Sequence, residues 1–357
     1  MLTSFTVKNY RGFRDRTVEG LTRINLIAGE NNSGKTSLLE AVHLHNRFFD
    51  TESTMDVNRR RGILVGLSDL KTTWPLLFHD FEPASPFVFE SVQSDGLRRK
   101  VQVSLTDIAT VSRDHPDIMP NLLRDSASSV LTTDAPVVSI KYEDSSGDRK
   151  RCLLLSRNPV MLQGWCEAPN TPITSRFLAT RATDDGAEVA EYSAIEISGR
   201  QEELLLPALR FLQPGLRRLS LAKLADRDSF FADIGRKNLV PIASMGEGVR
   251  RVLSFVLAIA NSAGGIVLID EIENGLHHSV LENVWQAIGD AARAANCQVF
   301  ATTHSYECIQ AAQRAFSDNG EEDLTFIRLE RRGDDIRAIV ADEESLETAI
   351  GHGWELR

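Results

Sequence analysis

Apolar positions fall along this chain in three textures. Ile24-Asn25-Leu26-Ile27-Ala28, Gly265 to Ile269 and Gln298 to Thr302 are short, mostly apolar runs, the pattern of strands covered on both faces. Between and around them lie helical periodicities: a helix from Lys35, then Gln201 to Leu212, Gly248 to Ala260 and Ser279 to Ala294. From Pro86 to about Leu155 the period shortens to two. FVFESVQ, SDG and VQVSL predict one hairpin, and VVSIKY, DSSGD and CLLL a second. Further strands are expected over Leu2 to Val7, before a turn at Arg11 and Gly12, over Leu216 to Ala222, and as a closing pair at Leu324 to Leu329 and Ile336 to Val340. Strands alternating with helices imply an α/β fold with a mainly parallel, doubly wound sheet. Residues 1–85 and 200–357 are expected to form one domain, and 86–199 an inserted β-rich lobe. Asp107 to Thr133 is mixed and polar and receives no element.

The loop after the first apolar run carries chemistry. Gly29-Glu30-Asn31-Asn32-Ser33-Gly34-Lys35-Thr36 satisfies G-x-x-x-x-G-K-[ST] between a strand and the helix that continues through Ser37, the context a P-loop requires. Its glycines let backbone amides turn toward phosphates, Lys35 is expected to reach the β and γ phosphates, and Thr36 to ligate Mg²⁺. The run ending at Ile269 is followed by Asp270 and Glu271, at the strand end where ligands of parallel sheets gather. Asp270 is expected to orient Mg²⁺ and Glu271 to polarise the attacking water. One crossover helix later, the strand from Gln298 ends at His304, which could sense the γ-phosphate. Ser244-Met245-Gly246-Glu247-Gly248 opens another helix and offers a second anion-binding start.

Composition narrows the setting. Of 357 residues, 42% are hydrophobic, ample for a core of one or two domains. The formal net charge of −10 gives no global pull toward nucleic acid, so any such binding must be local. Arg59-Arg60-Arg61, Arg98-Arg99-Lys100 and Arg149-Lys150-Arg151 are the available clusters, read first as solvated faces and second as DNA contacts. The amino terminus lacks a signal-peptide pattern and no apolar stretch is long enough for a bilayer, so a cytoplasmic protein is expected. Cys152, Cys166, Cys297 and Cys308 form no C-x-x-C pair and are expected to bind no metal and form no disulfide. His43-x-His45 and His277-His278 fit core or surface roles better than metal binding.

Taken together, the P-loop, the S-x-G-E-G helix start, Asp270-Glu271 with the following Glu273-Asn274-Gly275-Leu276-His277, and Thr303-His304-Ser305 resemble the ABC-type ATPase heads of the SMC, RecF and OLD-nuclease group. The chain is similar in particular to compact bacterial AAA-class ATPases that begin with a strand and NYRGF. The resemblance covers most of residues 1–60 and 200–357. It implies ATP and Mg²⁺ as cofactors and a head-to-tail homodimer, or a higher homo-oligomer, in which Ser244 and Gly246 of one subunit meet the γ-phosphate on the partner's P-loop. Asn274 and Gly275 would join the two sites, and Arg11 would touch nucleotide. The signature is not L-S-G-G-Q and no membrane-coupling segment accompanies it, which disfavours a transporter. Gln93 is a candidate for the glutamine that joins the two lobes of such heads. The chain ends at Arg357 with no expected nuclease domain, so nuclease or toxin activity would belong to an effector partner.

Two functions follow. One is an ATP-hydrolysing switch in phage defence or DNA maintenance that controls DNA or an effector. The other is a non-hydrolysing, ATP-bound scaffold that sequesters a toxic effector. Glu271 favours the first.

Overall fold

The structure, a computed structural model, describes residues 1–62, 70–114, 135–158, 161–179, 185–317, 323–353 and 355–356. In chain order its strands are β1 (Leu2–Tyr10), β2 (Phe13–Glu19), β3 (Ile24–Ala28), β4 (Phe87–Gln93), β5 (Arg98–Asp107), β6 (Pro136–Asp144), β7 (Arg149–Asn158) and β8 (Met161–Cys166). They continue with β9 (Ser175–Leu178), β10 (Arg218–Leu224), β11 (Arg227–Asp233), β12 (Val240–Pro241), β13 (Ile266–Ile269), β14 (Gln298–Thr302), β15 (Leu324–Arg332) and β16 (Asp335–Ala341).

The described residues form three sheets. The central one has the order β16-β15-β3-β14-β13-β9, with β15, β3, β14, β13 and β9 parallel and β16 an antiparallel edge. The three apolar runs therefore lie side by side, as a strand covered on both faces must. Their alternate residues divide between two cores. Ile24, Leu26, Val267, Ile269, Val299 and Ala301 face one core, built with the helices Asp185–Ile197, Glu247–Ala260, Leu281–Ala294 and Tyr306–Ser317. Ile27, Ile266, Leu268, Phe300 and Ile327 face the other, shared with the helix Lys35–Arg47 and a seven-stranded antiparallel sheet of order β2-β1-β4-β5-β6-β7-β8. The helix after the P-loop is thus sandwiched between two sheets, and every residue from Ser37 to Asn46 is buried. That burial pushes His43 and His45 down to about 3, and each ring meets one serine, Ser175 at 3.1 Å and Ser91 at 2.8 Å. Both are core residues.

Several expectations change. The antiparallel sheet includes β1 and β2, while β9 and the helix Asp185–Ile197 pack with the central sheet, so the sheets cut across the expected division at 86 and 199. β10 lies with β11 and β12 in a separate antiparallel sheet, not in the central one. The expected helix Gln201 to Leu212 is two short helices, Gln201–Leu204 and Leu206–Arg210, the second with Pro207 in its first turn, where a missing N–H costs nothing. Asp107 closes β5 and accepts the Thr110 N–H at the start of the helix Ile108–Asp114, whereas 115–134 lie outside the described residues. Cys152 and Cys166 stand opposite each other on β7 and β8, Cα atoms 4.0 Å apart, and form a disulfide, which corrects the expectation of none. Their spacing becomes a contact only when the hairpin folds back. Cys297 and Cys308 are free, and burial pushes both thiols up to about 12.

Candidate nucleotide site

β3 delivers the P-loop at the carboxyl end of the central sheet. Gly29 has φ 142°, and a Cβ there would sit 2.3 Å from the carbonyl oxygen of Leu329, so the loop can pass β15 only as glycine. Gly34 has φ 98°, and a Cβ would meet Ile336 at 2.4 Å. Between them Glu30, Asn31 and Asn32 are exposed, and Ser33 is buried with its hydroxyl oxygen lacking a partner among the described residues. Lys35 Nζ donates to the carbonyls of Gly29 at 2.6 Å and Glu30 at 2.9 Å. Burial lowers its pKa, while Asp270, Glu273 and Glu271 act in the opposite direction.

The acidic strand end faces this loop. Thr36 Oγ1 donates to Asp270 at 3.1 Å, and Thr302 Oγ1 donates to the same carboxylate at 2.7 Å while accepting the Glu271 N–H at 2.8 Å. Thr302, on neighbouring β14, therefore fixes both acids. Asp270 has its pKa raised by burial, against the hydrogen bonds from Thr302 and Thr36. Glu271 adopts φ 50°, a left-handed conformation rare outside glycine, which turns the chain sharply after β13. Arg251, on the helix Glu247–Ala260, donates to the Glu271 carbonyl at 3.1 Å and ties that helix to the turn. His304 donates its backbone N–H to Glu273 at 2.9 Å, and its Nδ1 lies 3.0 Å from the same oxygen.

Several of these partners escape sequence reasoning. Glu40, 1% exposed on the helix Lys35–Arg47, receives Arg61 through two contacts of 2.9 Å and Arg11 at 3.1 Å. Arg61 also donates to Ser37 Oγ at 3.0 Å, so the Ser37 hydroxyl is engaged on the flank of the helix. Arg11 Nε also bonds Tyr10 OH at 3.2 Å, leaving its Nη2 as the buried, unpartnered nitrogen on that side. A buried glutamate two turns into a P-loop helix signals a cation, but sequence does not say which one.

The basic clusters resolve mostly into internal pairs. Arg59 binds Asp56 at 2.6 Å, Arg60 lies over Phe177, Arg99 donates to Thr171, and Lys100 lies near Glu90 and Glu143. Gln93 pairs with Leu2 at the far end of β1 from the Tyr10–Gly12 turn that borders the P-loop, which removes it as the linking glutamine. Ser244 and Gly246 are exposed at the start of the helix Glu247–Ala260, Gly246 has φ 99°, and no side chain caps that start. Gly248 lies against Leu276, and Gly275 against Glu247, so the S-x-G-E-G segment packs on the loop after Glu271.

A glycine loop wrapped over a buried strand, opposed by an acidic strand end on the same parallel sheet, is the arrangement of a P-loop ATPase. Comparison with known proteins gives the same class. The family "AAA ATPase domain" matches residues 1–94, and the family "AAA domain, putative AbiEii toxin, Type IV TA system" matches residues 166–309. An "ATP/GTP phosphatase" of Helicobacter pylori is 23% identical over 347 residues, covering 87% of each chain. "DNA replication and repair protein RecF" of a Geobacillus strain is 42% identical over 43 residues, 12% of each chain. Among solved structures, an Smc head bound to the C-winged helix domain of ScpA superposes with TM-score 0.50 at 14% identity, over 98% of this chain and 99% of that one. The chain is an ATPase with the fold of an SMC head. Among the described residues, no helix is long and apolar enough to cross a membrane.

Proposed function

We propose that this chain is a Mg-ATP-driven switch that closes as a homodimer and controls an effector or a DNA partner. The carrying observation is the uncapped helix start at Ser244 to Gly248, whose Ser244 and Gly246 are exposed, together with a P-loop that by itself covers one side of a triphosphate. The residues fit ATP and Mg²⁺. Ser33 Oγ is an orphaned buried polar atom within the loop, and Thr36 with Asp270 supplies the hard oxygen donors that Mg²⁺ prefers.

In this reading Lys35 exchanges its loop carbonyls for phosphate oxygens, and the Gly29 to Ser37 amides hold the β-phosphate side. Thr36 and Asp270 would hold Mg²⁺, which would neutralise charge on the phosphates. Glu271 accepts a proton from the attacking water, and Thr302 keeps the carboxylate-bearing turn in place. His304, oriented by Glu273, contacts the γ-phosphate. Arg11 approaches the nucleotide through its unpartnered Nη2. Ser244, Gly246 and Gly248 complete the site from the second subunit, and Arg251 reports their arrival to the Glu271 turn.

The toxin–antitoxin wording of the matching family supports an effector, a nuclease or toxin, as the controlled partner; the RecF likeness keeps DNA as the other. Phosphate release by the purified protein, with and without duplex DNA, tests both parts. Turnover that DNA accelerates supports a DNA-controlled switch, and turnover indifferent to DNA points to the effector. No turnover beyond that of a Lys35→Ala control rejects the switch.

A further inference from the structure

The geometry points to a divalent transition-metal site, suited to Zn²⁺, formed by His79, Asp80 and Asp334 beside the nucleotide site. One ligand atom from each of the three side chains lies within 4.8 Å of the others. His79 is 7% exposed, and its Nδ1 is 2.8 Å from the carbonyl oxygen of Arg11. A carbonyl only accepts, so Nδ1 carries the proton and Nε2 is the atom left to bind. This is the backbone-carbonyl support that orients metal-bound imidazoles. Nε2 is buried, has no hydrogen-bond partner among the described residues, and lies 3.4 Å from Asp80 Oδ2. Two donors on a tetrahedral zinc ion stand about 3.4 Å apart. Asp334 offers the third carboxylate from the turn between β15 and β16, where it is exposed and ion-paired to Arg14.

One imidazole with two carboxylates is a donor set for zinc with a water at the fourth position, and too nitrogen-poor for copper. The location gives the ion a task. His79 holds the β1–β2 turn through Arg11, and Asp334 belongs to the hairpin whose Ile336 packs where a Gly34 side chain would be. A bound ion would tie these two walls of the P-loop together. This inference uses none of the assigned nucleotide roles and stands or falls without them.

The test is titration of the full-length, chelator-treated protein with ZnCl₂ in the absence of nucleotide, followed by calorimetry and by thermal unfolding. The wild type is expected to bind one equivalent and to melt higher with zinc, because a ligand of the folded state alone stabilises it. His79→Gln and Asp334→Asn are expected to weaken that equivalent by about tenfold or more, given that losing even a supporting group costs at least that much. Asp334 is exposed, so its variant tests the site even if His79→Gln does not fold. A His277→Gln/His278→Gln control should bind as the wild type does, and cobalt in place of zinc should give a tetrahedral absorption spectrum. Absence of a stoichiometric site, or zinc binding unchanged in Asp334→Asn, overturns the inference and leaves Asp334 as the partner of Arg14 only. Loss of binding in the His277/His278 control overturns it too.

Discussion

Two glycine-bearing helix starts in this chain have opposite surroundings. The P-loop is walled in: Gly29 passes against Leu329, Gly34 against Ile336 and Phe13, Ser33 is buried, and Lys35 is held by the loop's own carbonyls. The Ser244 to Gly248 start has its serine and first glycine at the surface, with open space around Gly246. The first has its shape built in by neighbouring strands. The second packs on Leu276 and Gly275 at its Glu247 and Gly248, while Ser244 and Gly246 stay at the surface. Similar local chemistry therefore leads to different expectations: substitutions in the first should act on nucleotide binding within one chain, and those in the second on assembly.

The largest effect should come from the acid opposite the P-loop. Glu271→Gln keeps the shape and loses the base, so hydrolysis should fall by about 100-fold to 10 000-fold with ATP still bound. Single-turnover phosphate release measures it, and a wild-type rate would transfer the base role elsewhere. Next, Lys35→Ala should weaken ATP binding by roughly 100-fold, as two charge-assisted contacts of about 1.5 kcal/mol each are removed. Equal affinities in a titration would undo the P-loop half of the comparison. Ser244→Arg should change ATP affinity by no more than about twofold, the usual scale of an exposed substitution, yet prevent closure. An affinity loss as large as that of Lys35→Ala would mean the two starts serve one chain's site.

The smallest effect concerns Asp270. Burial raises its pKa above the unfolded value, so the stability linked to its proton is present at low pH and is lost as pH rises through the folded value. At neutral pH its charge is therefore a net cost in the nucleotide-free protein. Asp270→Asn should raise stability there by about 1 kcal/mol, the advantage shrinking at acid pH as the wild type takes up its proton. Denaturant melts at the two pH values check this, and destabilisation at pH 7 would mean that the hydrogen bonds from Thr36 and Thr302 outweigh burial.

The central sheet was legible because its strands are buried on both faces and so read as apolar runs, and the P-loop because its spacing is set by phosphate geometry. What stayed hidden depends on folding partners far apart in sequence. Ser175–Leu178 joins the sheet beside β13 although its two polar residues mask it, and Cys152 meets Cys166 only across a hairpin. Thr302 carries no motif, yet it holds both acids because β14 lies next to β13. Glu40 finds Arg61 and Arg11 from opposite sides in sequence, so a basic cluster that resembled a surface patch contributes to the support of the P-loop helix.

The claim that the two helix starts meet across subunits has a direct measurement. Two populations of Glu271→Gln protein, one with a donor dye at exposed Ala243 and the other with an acceptor at exposed Asp15, two residues past the Phe13 that borders the P-loop, are mixed and followed by energy transfer. The account predicts high transfer with Mg-ATP, low transfer with Mg-ADP or no nucleotide, and none of the ATP-dependent rise once Ser244→Arg is added. Equal transfer in all three nucleotide conditions would contradict it.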